Sequence, residues 1–502
     1  MAASIAALID NLPISENKLE SLNDLKSLLG NLPIHSLGSI VANVSFNSVF
    51  DCLSTDNLEE IEVCCDVLKK LLTPVPAQHV LTQFPAELHA GLKHDEIPVR
   101  RLCLAEVLRV SENCCEELMV REEVVIAVVR ALADQSLEVA KCAERVLTNL
   151  GLREDGLAVL YGGDVMSSLQ EVLASNDVIR FRVYETIVAI CRQSDMGLQR
   201  SSESGLVQHF LNELHKDDIL VQLNCLELLS DLATTEHGLL YLDGRGVMSS
   251  LETMMTNVQS DPLATFLVPG LMKFFGCVAR LRPKEVCTRN EMFVTTVFDS
   301  LTAPDNPSMR SLAVQTVGFI GSSVEGKLAL EKLGSRMDSG VRCLGKTLRE
   351  GQQDAKVIVL QALTSLLKLK VSDQTTELLK LTEHWYGQLG TNTFGYLMSL
   401  AEQPFPDLRI ALLILFESLA SQPWAQTIMA NHPGFREYLL NRSTEKTKEC
   451  KEKKYNVVLT LANSPTVAEV FGNPYVVQLK VYCNQGPFFI RVQAEVAMEG
   501  DS

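Results

Sequence analysis

Apolar residues recur along this chain with the spacing of one buried helix face. Such a helix presents apolar side chains at positions 0, +3, +4, +7 and +8. Each stretch with this pattern is predicted to form a helix that packs between its neighbours. The stretches begin at Val99, Val139, Arg180, Val221, Leu267, Met309, Val359 and Leu408, with weaker copies around Leu22 and Ile61. Arg180 stands where the pattern expects an apolar residue, so its stretch fits less well.

A duplicated string indicates that this spacing comes from internal repeats. Gly156–Leu169 reads GLAVLYGGDVMSSL, and Gly238–Leu251, which starts 82 residues later, reads GLLYLDGRGVMSSL. The offset is twice a shorter unit, because the helix-start segments at Val139, Arg180 and Val221 lie 41 residues apart. Units of about 40–47 residues with two or three helices are typical of HEAT and armadillo repeats.

The predicted fold is therefore all-α, a HEAT/armadillo-like α-solenoid of about ten helical repeats with a short irregular C-terminal tail. Residues 1–94 are expected to form degenerate N-terminal repeats, residues 95–440 the core repeats, and residues 441–502 a final helix and an extended tail. Longer connections are expected at 255–269 and 371–395, where the spacing of the repeats is interrupted.

An acidic residue or an asparagine precedes each strong stretch. Such side chains can accept a hydrogen bond from the first free amides of a helix and suit the positive end of its dipole. We therefore expect N-caps at Asp95, Asp134, Asp177, Asp218, Asp261, Asn306, Asp354 and Asp407.

Charge and composition narrow the class of partner. The formal net charge of −17 argues against a nucleic-acid groove, because neutralising phosphates needs clustered Lys and Arg. A net negative surface would favour basic partners, but the ordinary acidity of a cytosolic protein is the simpler explanation of this charge. The apolar run at Ile410–Phe416 has seven residues, whereas a bilayer span needs about 20. Met1–Asp10 has no basic n-region and is expected to be the first helix. We expect a protein of the cytoplasm, with the nucleus as a second compartment.

The sequence offers no constellation for catalysis or for a cofactor. Walker, dinucleotide-binding, His-Glu-x-x-His and Gly-x-Ser-x-Gly patterns are absent from the sequence. The 14 cysteines include no Cys-x-x-Cys, and several fall on apolar helix faces, where a thiol acts as a small buried hydrophobe. We expect neither an enzyme nor a protein with a cofactor or metal.

A binding surface is the remaining hypothesis, because repeat solenoids commonly hold a partner on the wall formed by one row of helices. Positions +1, +2 and +5 of the helix starts predict a mixed-charge ladder with one aromatic residue. Its members are Arg100, Arg101, Lys141, Glu144, Phe181, Arg182, Glu185 and Gln222. A solvated helix face without a ligand is the alternative for each of them. Joint charge reversal of Arg100, Arg101 and Arg182 would test the ladder.

Several strings outside the repeat pattern carry a family resemblance. They are Asp261–Gly276 (DPLATFLVPGLMKFFG), Asn176–Glu185 (NDVIRFRVYE), Gln422–Gln426 (QPWAQ), Ala468–Pro474 (AEVFGNP) and Gly486–Val492 (GPFFIRV). With them the sequence closely resembles, over nearly its full length, the family of 26S proteasome non-ATPase regulatory subunit 5. Members of that family are assembly chaperones of the base of the proteasome regulatory particle.

This resemblance implies a non-catalytic chaperone that binds the C-terminal helical domain of a base ATPase subunit, alongside a large non-ATPase scaffold subunit. It implies that the chaperone blocks premature docking on the 20S core and leaves before the mature particle forms. The alternative is an armadillo-like adaptor or scaffold for other protein or peptide cargo. Such adaptors usually line their groove with repeated Trp and Asn, whereas here Trp385 and Trp424 do not recur by unit. We expect the protein to be a monomer by itself.

Overall fold

A computed structural model describes residues 2–33, 37, 38, 41, 45–257, 264–303 and 306–489. All regular structure in this part of the chain is helical, which confirms the predicted all-α class. The chain divides by packing into two units, Met1–Leu242 and Asp243–Ser502. The three segments predicted from the quality of the repeats, 1–94, 95–440 and 441–502, stay a prediction.

In the first unit short helices alternate with long ones, usually with two short helices before each long one. Its α-helices are α1 Ala2–Asn11, α2 Lys18–Gly30, α3 Asn47–Asp51, α4 Leu58–Leu72, α5 Ala77–Gln83, α6 Pro85–Gly91, α7 Ile97–Asn113, α8 Cys115–Met119, α9 Glu122–Ala131, α10 Leu137–Leu150, α11 Glu154–Leu160, α12 Gly163–Leu173, α13 Asp177–Gln193, α14 Asp195–Glu203, α15 Leu206–Glu213, α16 Ile219–Leu232 and α17 Glu236–Gly244, which runs across the boundary.

The second unit continues the same alternation. Its α-helices are α18 Val247–Asn257, α19 Val268–Leu281, α20 Pro283–Arg289, α21 Glu291–Thr302, α22 Pro307–Ile320, α23 Val324–Glu331, α24 Ser335–Glu350, α25 Gln353–Leu367, α26 Thr376–Gln388, α27 Thr393–Ala401, α28 Pro406–Ala420, α29 Pro423–Asn431, α30 Phe435–Leu440, α31 Lys448–Asn463, α32 Val467–Phe471 and α33 Asn473–Gln485. Short 3-10 helices lie at Leu12–Ile14, Ala264–Leu267 and Val371–Asp373.

The repeating element is a group of three helices, and the third is usually the longest. Third helices pack side by side, as α4, α7, α10, α13 and α16 in the first unit and as α19, α22, α25, α28 and α31 in the second. The predicted apolar face is largely the buried one: in α10 Val139, Ala143, Val146 and Leu147 are buried, whereas Cys142 is half-buried. Because each helix buries this face only against its neighbours, the core is continuous along each unit.

A glycine in the first helix of the repeat allows close approach to the preceding third helix. A Cβ on Gly156 would lie 2.0 Å from the carbonyl oxygen of Leu150. The equivalent distance is 2.2 Å from Gly238 to Leu232 and 1.7 Å from Gly326 to Ile320. These contacts are far shorter than a Cβ tolerates, and they explain why glycine opens both copies of the duplicated string.

The predicted N-caps are only partly correct. Asp218 accepts hydrogen bonds from the amides of Leu220 and Val221, and Asn306 accepts one from Met309. Helix α13 is capped by Asn176 instead of Asp177, because the Asn176 carboxamide oxygen accepts from the Ile179 amide. The remaining predicted caps at Asp95, Asp134, Asp354 and Asp407 do not occupy the N-cap position, and Asp261 lies outside the described residues.

Two segments contain more helix than expected. The connection predicted at 371–395 contains α26, which buries Leu378, Leu381 and Trp385. The final helix of the 441–502 segment, expected at residues 455–471, is instead divided between two helices. Helix α31 begins earlier, within the charged segment STEKTKECKEKK at residues 443–454, and the short α32 follows it. The expected extended tail falls mostly on residues 490–502, which lie outside the described residues.

Candidate protein-binding surface

The predicted ladder residues lie on the third helices of the first unit, which present their first two turns next to one another. Arg100 and Arg101 lie on α7, Lys141 and Glu144 on α10, Phe181, Arg182 and Glu185 on α13, and Gln222 on α16. The structure separates them into side chains that bond the scaffold and side chains that face solvent.

Arg100 belongs to the scaffold. Its Nε and Nη2 atoms donate to the Asp134 carboxylate at 2.6 and 3.1 Å, and Nη1 donates to the carbonyl oxygens of His94 and Asp95 at 2.7 and 2.6 Å. The side chains of Arg100 and Asp134 are only 16% and 6% exposed. Four bonds to one guanidinium satisfy polar groups of two successive loops, so Arg100 has little capacity left for a partner.

Arg182 and Gln222 do the same two and three repeats further along the chain. Arg182 Nη1 donates to the carbonyl oxygens of Leu132 and Asp134 at 3.0 and 2.7 Å. Gln222 Nε2 donates to the carbonyl oxygen of Lys216 at 2.9 Å. Long polar side chains near the start of the third helix thus satisfy carbonyl groups of the loops beside them.

Phe181 does not provide the expected aromatic residue on the surface. Its side chain is 7% exposed and meets the Tyr184 ring edge-on, with the ring centroids 5.5 Å apart. Burying an aromatic side chain is strongly favourable, so Phe181 turns into the core although the spacing places it beside polar surface residues. Its assignment to the binding surface is wrong.

The remaining ladder residues form a charged surface. Arg101 pairs with Glu138 on the next third helix, with Nη1 and Oε2 3.3 Å apart, and both side chains are exposed. Partial burial raises the pKa of Glu144, and the neighbouring Glu185 adds to the increase while Lys141 opposes it. Burial also raises the pKa of Glu185. Lys141 favours the charged forms of both carboxylates, which lie on adjacent helices.

Two further carboxylates were missed from the sequence. Glu227 and Asp231 of α16 both raise the pKa of Glu185, so they extend the acidic row by one repeat. The predicted positions extend only to +5 from each helix start, whereas Glu227 lies at +6 and Asp231 at +10 from Val221. A scan of the polar positions along the full third helices would have found them.

The second unit carries a different surface on its third helices. A groove of about 580 Å³ runs between α25, α28 and α31. Its floor includes Val357, Ile358, Ile410 and Ile414, and its rim carries the carboxylates of Asp354, Asp407 and Glu449. An apolar floor with an acidic rim can accept apolar side chains flanked by basic ones.

The described residues contain no group of three or more His, Cys, Asp or Glu side chains placed to hold a metal ion. Burial raises the pKa of Cys142 and Cys287 to about 11 and that of Cys225 to about 12, so these thiols are protonated at neutral pH and are poor nucleophiles. Within the same residues, no helix combines the length and the apolar character required to cross a bilayer.

These features define a helical-repeat protein of the HEAT/armadillo class. The solved structure of Kap95p bound to RanGDP has the same general architecture, with a TM-score of 0.50 at 12% identity over 95% of this chain and 62% of that one. This likeness concerns the fold alone.

Sequence comparison identifies the family. The profile described as proteasome non-ATPase 26S subunit matches residues 1–502. The chain is 36% identical over 503 aligned positions, covering all of both chains, to the 26S proteasome non-ATPase regulatory subunit 5 of Homo sapiens and to that of Bos taurus. The Drosophila melanogaster protein of the same name is 28% identical over 67% of this chain. The chain belongs to the family of 26S proteasome non-ATPase regulatory subunit 5.

Proposed function

We propose that this protein is a non-catalytic assembly chaperone of the base of the 26S proteasome regulatory particle. It binds the C-terminal helical domain of a base ATPase subunit, together with a large non-ATPase scaffold subunit. The observation that carries the proposal is the full-length match to a family named as regulatory subunits of the proteasome. The charged third-helix surface of the first unit and the apolar groove of the second are both suited to holding another protein.

Holding an intermediate requires binding energy and bulk, and no chemical step. In this proposal, the bound chaperone prevents the ATPase tails from docking on the 20S core before the base is complete. Release follows when a later subunit buries overlapping surface and shifts the binding equilibrium. Moderate affinity suits this role, because a picomolar complex would dissociate too slowly for assembly. We place the protein in the cytoplasm and nucleus, as a monomer when it is not bound to assembly partners.

The proposal is tested with the purified full-length chain and the separately purified C-terminal domains of the six base ATPase subunits. Isothermal titration should give one domain that binds at least about tenfold more tightly than the other five. Affinity purification from cells should recover base ATPases and the large scaffold subunit without 20S subunits. Binding to none of the six domains, or recovery of intact 26S particles, would contradict the proposal. Recovery of unrelated cargo would favour the adaptor alternative.

A further inference from the structure

An apolar residue stands at the N-terminal end of α2 and of each third helix from α4 to α16, and in four of these helices it is exposed. In each helix it is the first or second residue and lies six positions before a fully buried residue, as Ile97 lies before Cys103. We name these residues the apolar ladder: Leu19, Leu58, Ile97, Leu137, Val178 and Ile219. The four central members are 49%, 41%, 56% and 66% exposed in chain order, whereas Leu19 and Ile219 are half-buried.

The repeat architecture does not require an apolar residue at this position. The equivalent residues of the second unit, again six positions before a buried residue, are Thr265, Pro307, Val357, Pro406 and Lys448. Isolated exposed hydrophobes are ordinary on protein surfaces. Four exposed hydrophobes in register on successive helices, where the other unit has mostly different residue types, require a separate explanation.

The geometry of the ladder fits a helix. Packed helices lie about 8–10 Å apart, so successive members of the ladder are separated by about that distance. Exposed ion pairs join neighbouring long helices, including Lys26–Asp66 at 2.6 Å and Arg145–Glu112 at 2.8 Å. In an α-helix, residues seven positions apart point in nearly the same direction and are separated by about 10.5 Å. In a β-strand the same separation corresponds to about three residues, so successive matching side chains would point to opposite faces of the strand.

The charged residues beside the ladder indicate which side chains should flank the apolar positions of a docked helix. The window from two positions before each ladder residue to one position after it contains, over all six residues, nine carboxylates and one lysine, Lys18. The carboxylates are Glu20, Asp56, Glu59, Asp95, Glu96, Glu138, Asp177, Asp217 and Asp218. Two of these carboxylates already have basic partners, Glu138 in Arg101 and Asp177 in Arg180, and Lys141 acts on Glu144 and Glu185. Lys or Arg flanks would complement this edge, whereas acidic flanks would be repelled.

We propose that the apolar ladder is a docking surface for an amphipathic helix with an apolar side chain at every seventh position and flanking Lys or Arg residues. The inference goes beyond the proposed function, because it specifies the chemistry of the occupant without requiring that the occupant belong to an ATPase.

The test uses two fluorescent helical peptides of four heptads with the same leucine spacing, one with lysine flanks and one with glutamate flanks. Fluorescence anisotropy with the full-length protein should show binding of the lysine peptide and at least about tenfold weaker binding of the glutamate peptide. The variant Ile97→Ser/Leu137→Ser/Val178→Ser should bind the lysine peptide at least about tenfold more weakly than wild type, because three apolar contacts are lost.

The matched control is Val120→Ser/Leu152→Ser/Leu240→Ser, which removes three apolar residues that are exposed in the same unit but lie outside the ladder. Its affinity should equal that of wild type, and circular dichroism should show equal helicity for all three proteins. The inference is overturned by equal losses in both variants, by equal binding of the two peptides, or by no binding of the lysine peptide. None of these outcomes depends on whether a base ATPase is bound.

Discussion

Replacing Gly156 with alanine should destabilise the repeats around it. The new Cβ would lie 2.0 Å from the Leu150 carbonyl oxygen, whereas ordinary contact begins at 3.4 Å, so the two helices must separate by about 1.4 Å (3.4 − 2.0). The obstructing atom is backbone and cannot rotate away, which places the cost at the upper end of overpacking, about 3 kcal/mol. Alanine recovers up to about 1 kcal/mol of helix propensity, which leaves a net loss of about 2 kcal/mol.

Hydrogen exchange measured by mass spectrometry on the full-length protein checks this estimate. A loss of about 2 kcal/mol should accelerate amide exchange about 30-fold in α10, α11 and α12, where exchange follows local opening. Repeat proteins transmit such changes mainly to neighbouring repeats, so α28 and α31 should exchange at the wild-type rate.

Gly387→Ala is the matched control, because Gly387 also lies in a helix and a Cβ there would meet nothing within 4 Å. That substitution should leave exchange unchanged or slow it slightly. Equal exchange in Gly156→Ala and wild type would refute the reasoning, because it would mean that the two helices do not approach as closely as the structure indicates. Acceleration of the same size in both variants would refute it as well.

Three further predictions concern buried polar and aromatic groups. Arg100→Met should lower the free energy of unfolding by about 2–3 kcal/mol, because Asp134 and two loop carbonyls lose their donor, whereas Arg101→Met should cost about 0.5 kcal/mol or less; urea titration compares them. Burial lowers the pKa of Lys327 from 10.5 to about 8, so the unfolded chain binds a proton between these values that the folded chain lacks. Wild type should therefore gain stability over Lys327→Met as the pH rises through this window, by about 3 kcal/mol at most in paired titrations. Phe181→Ser should lower the free energy of unfolding by about 3 kcal/mol or more and reduce the melting temperature, whereas a surface role for Phe181 would leave both unchanged.

The apolar spacing predicted the third helices well, because their burial follows directly from the position of each residue in the repeat. Val139 and Ala143 are buried where the pattern places them. The short first helices, such as α8 and α11, were not predicted, because five to seven residues offer too little periodicity to read. Helix α26 was missed for another reason: a preceding irregular stretch obscured the regular spacing of Leu378, Leu381 and Trp385.

The candidate surface was harder to predict than the fold. Spacing along a helix tells which residues share a face, but it does not tell which long side chain turns back onto a loop. Arg100 and Arg101 are neighbours of the same type, yet the first is bonded to carbonyl oxygens of its own loop and the second is exposed. The two side chains differ only in whether a loop lies within their reach, and the position of that loop depends on tertiary packing.

The difference between bonded and exposed arginines changes how the binding surface should be tested. Joint charge reversal of Arg100, Arg101 and Arg182 would remove donors that hold two loops together, so lost binding could reflect lost structure. Reversal of Arg101 and Lys141 alone changes the surface charge by four units while the loop hydrogen bonds stay intact. If the charged surface that includes Arg101 and Lys141 takes part in binding, this double variant should change both the partner affinity and its dependence on salt. The urea midpoint should stay close to that of wild type. An unchanged affinity and salt dependence would assign binding to other surfaces, among them the apolar ladder and the groove of the second unit.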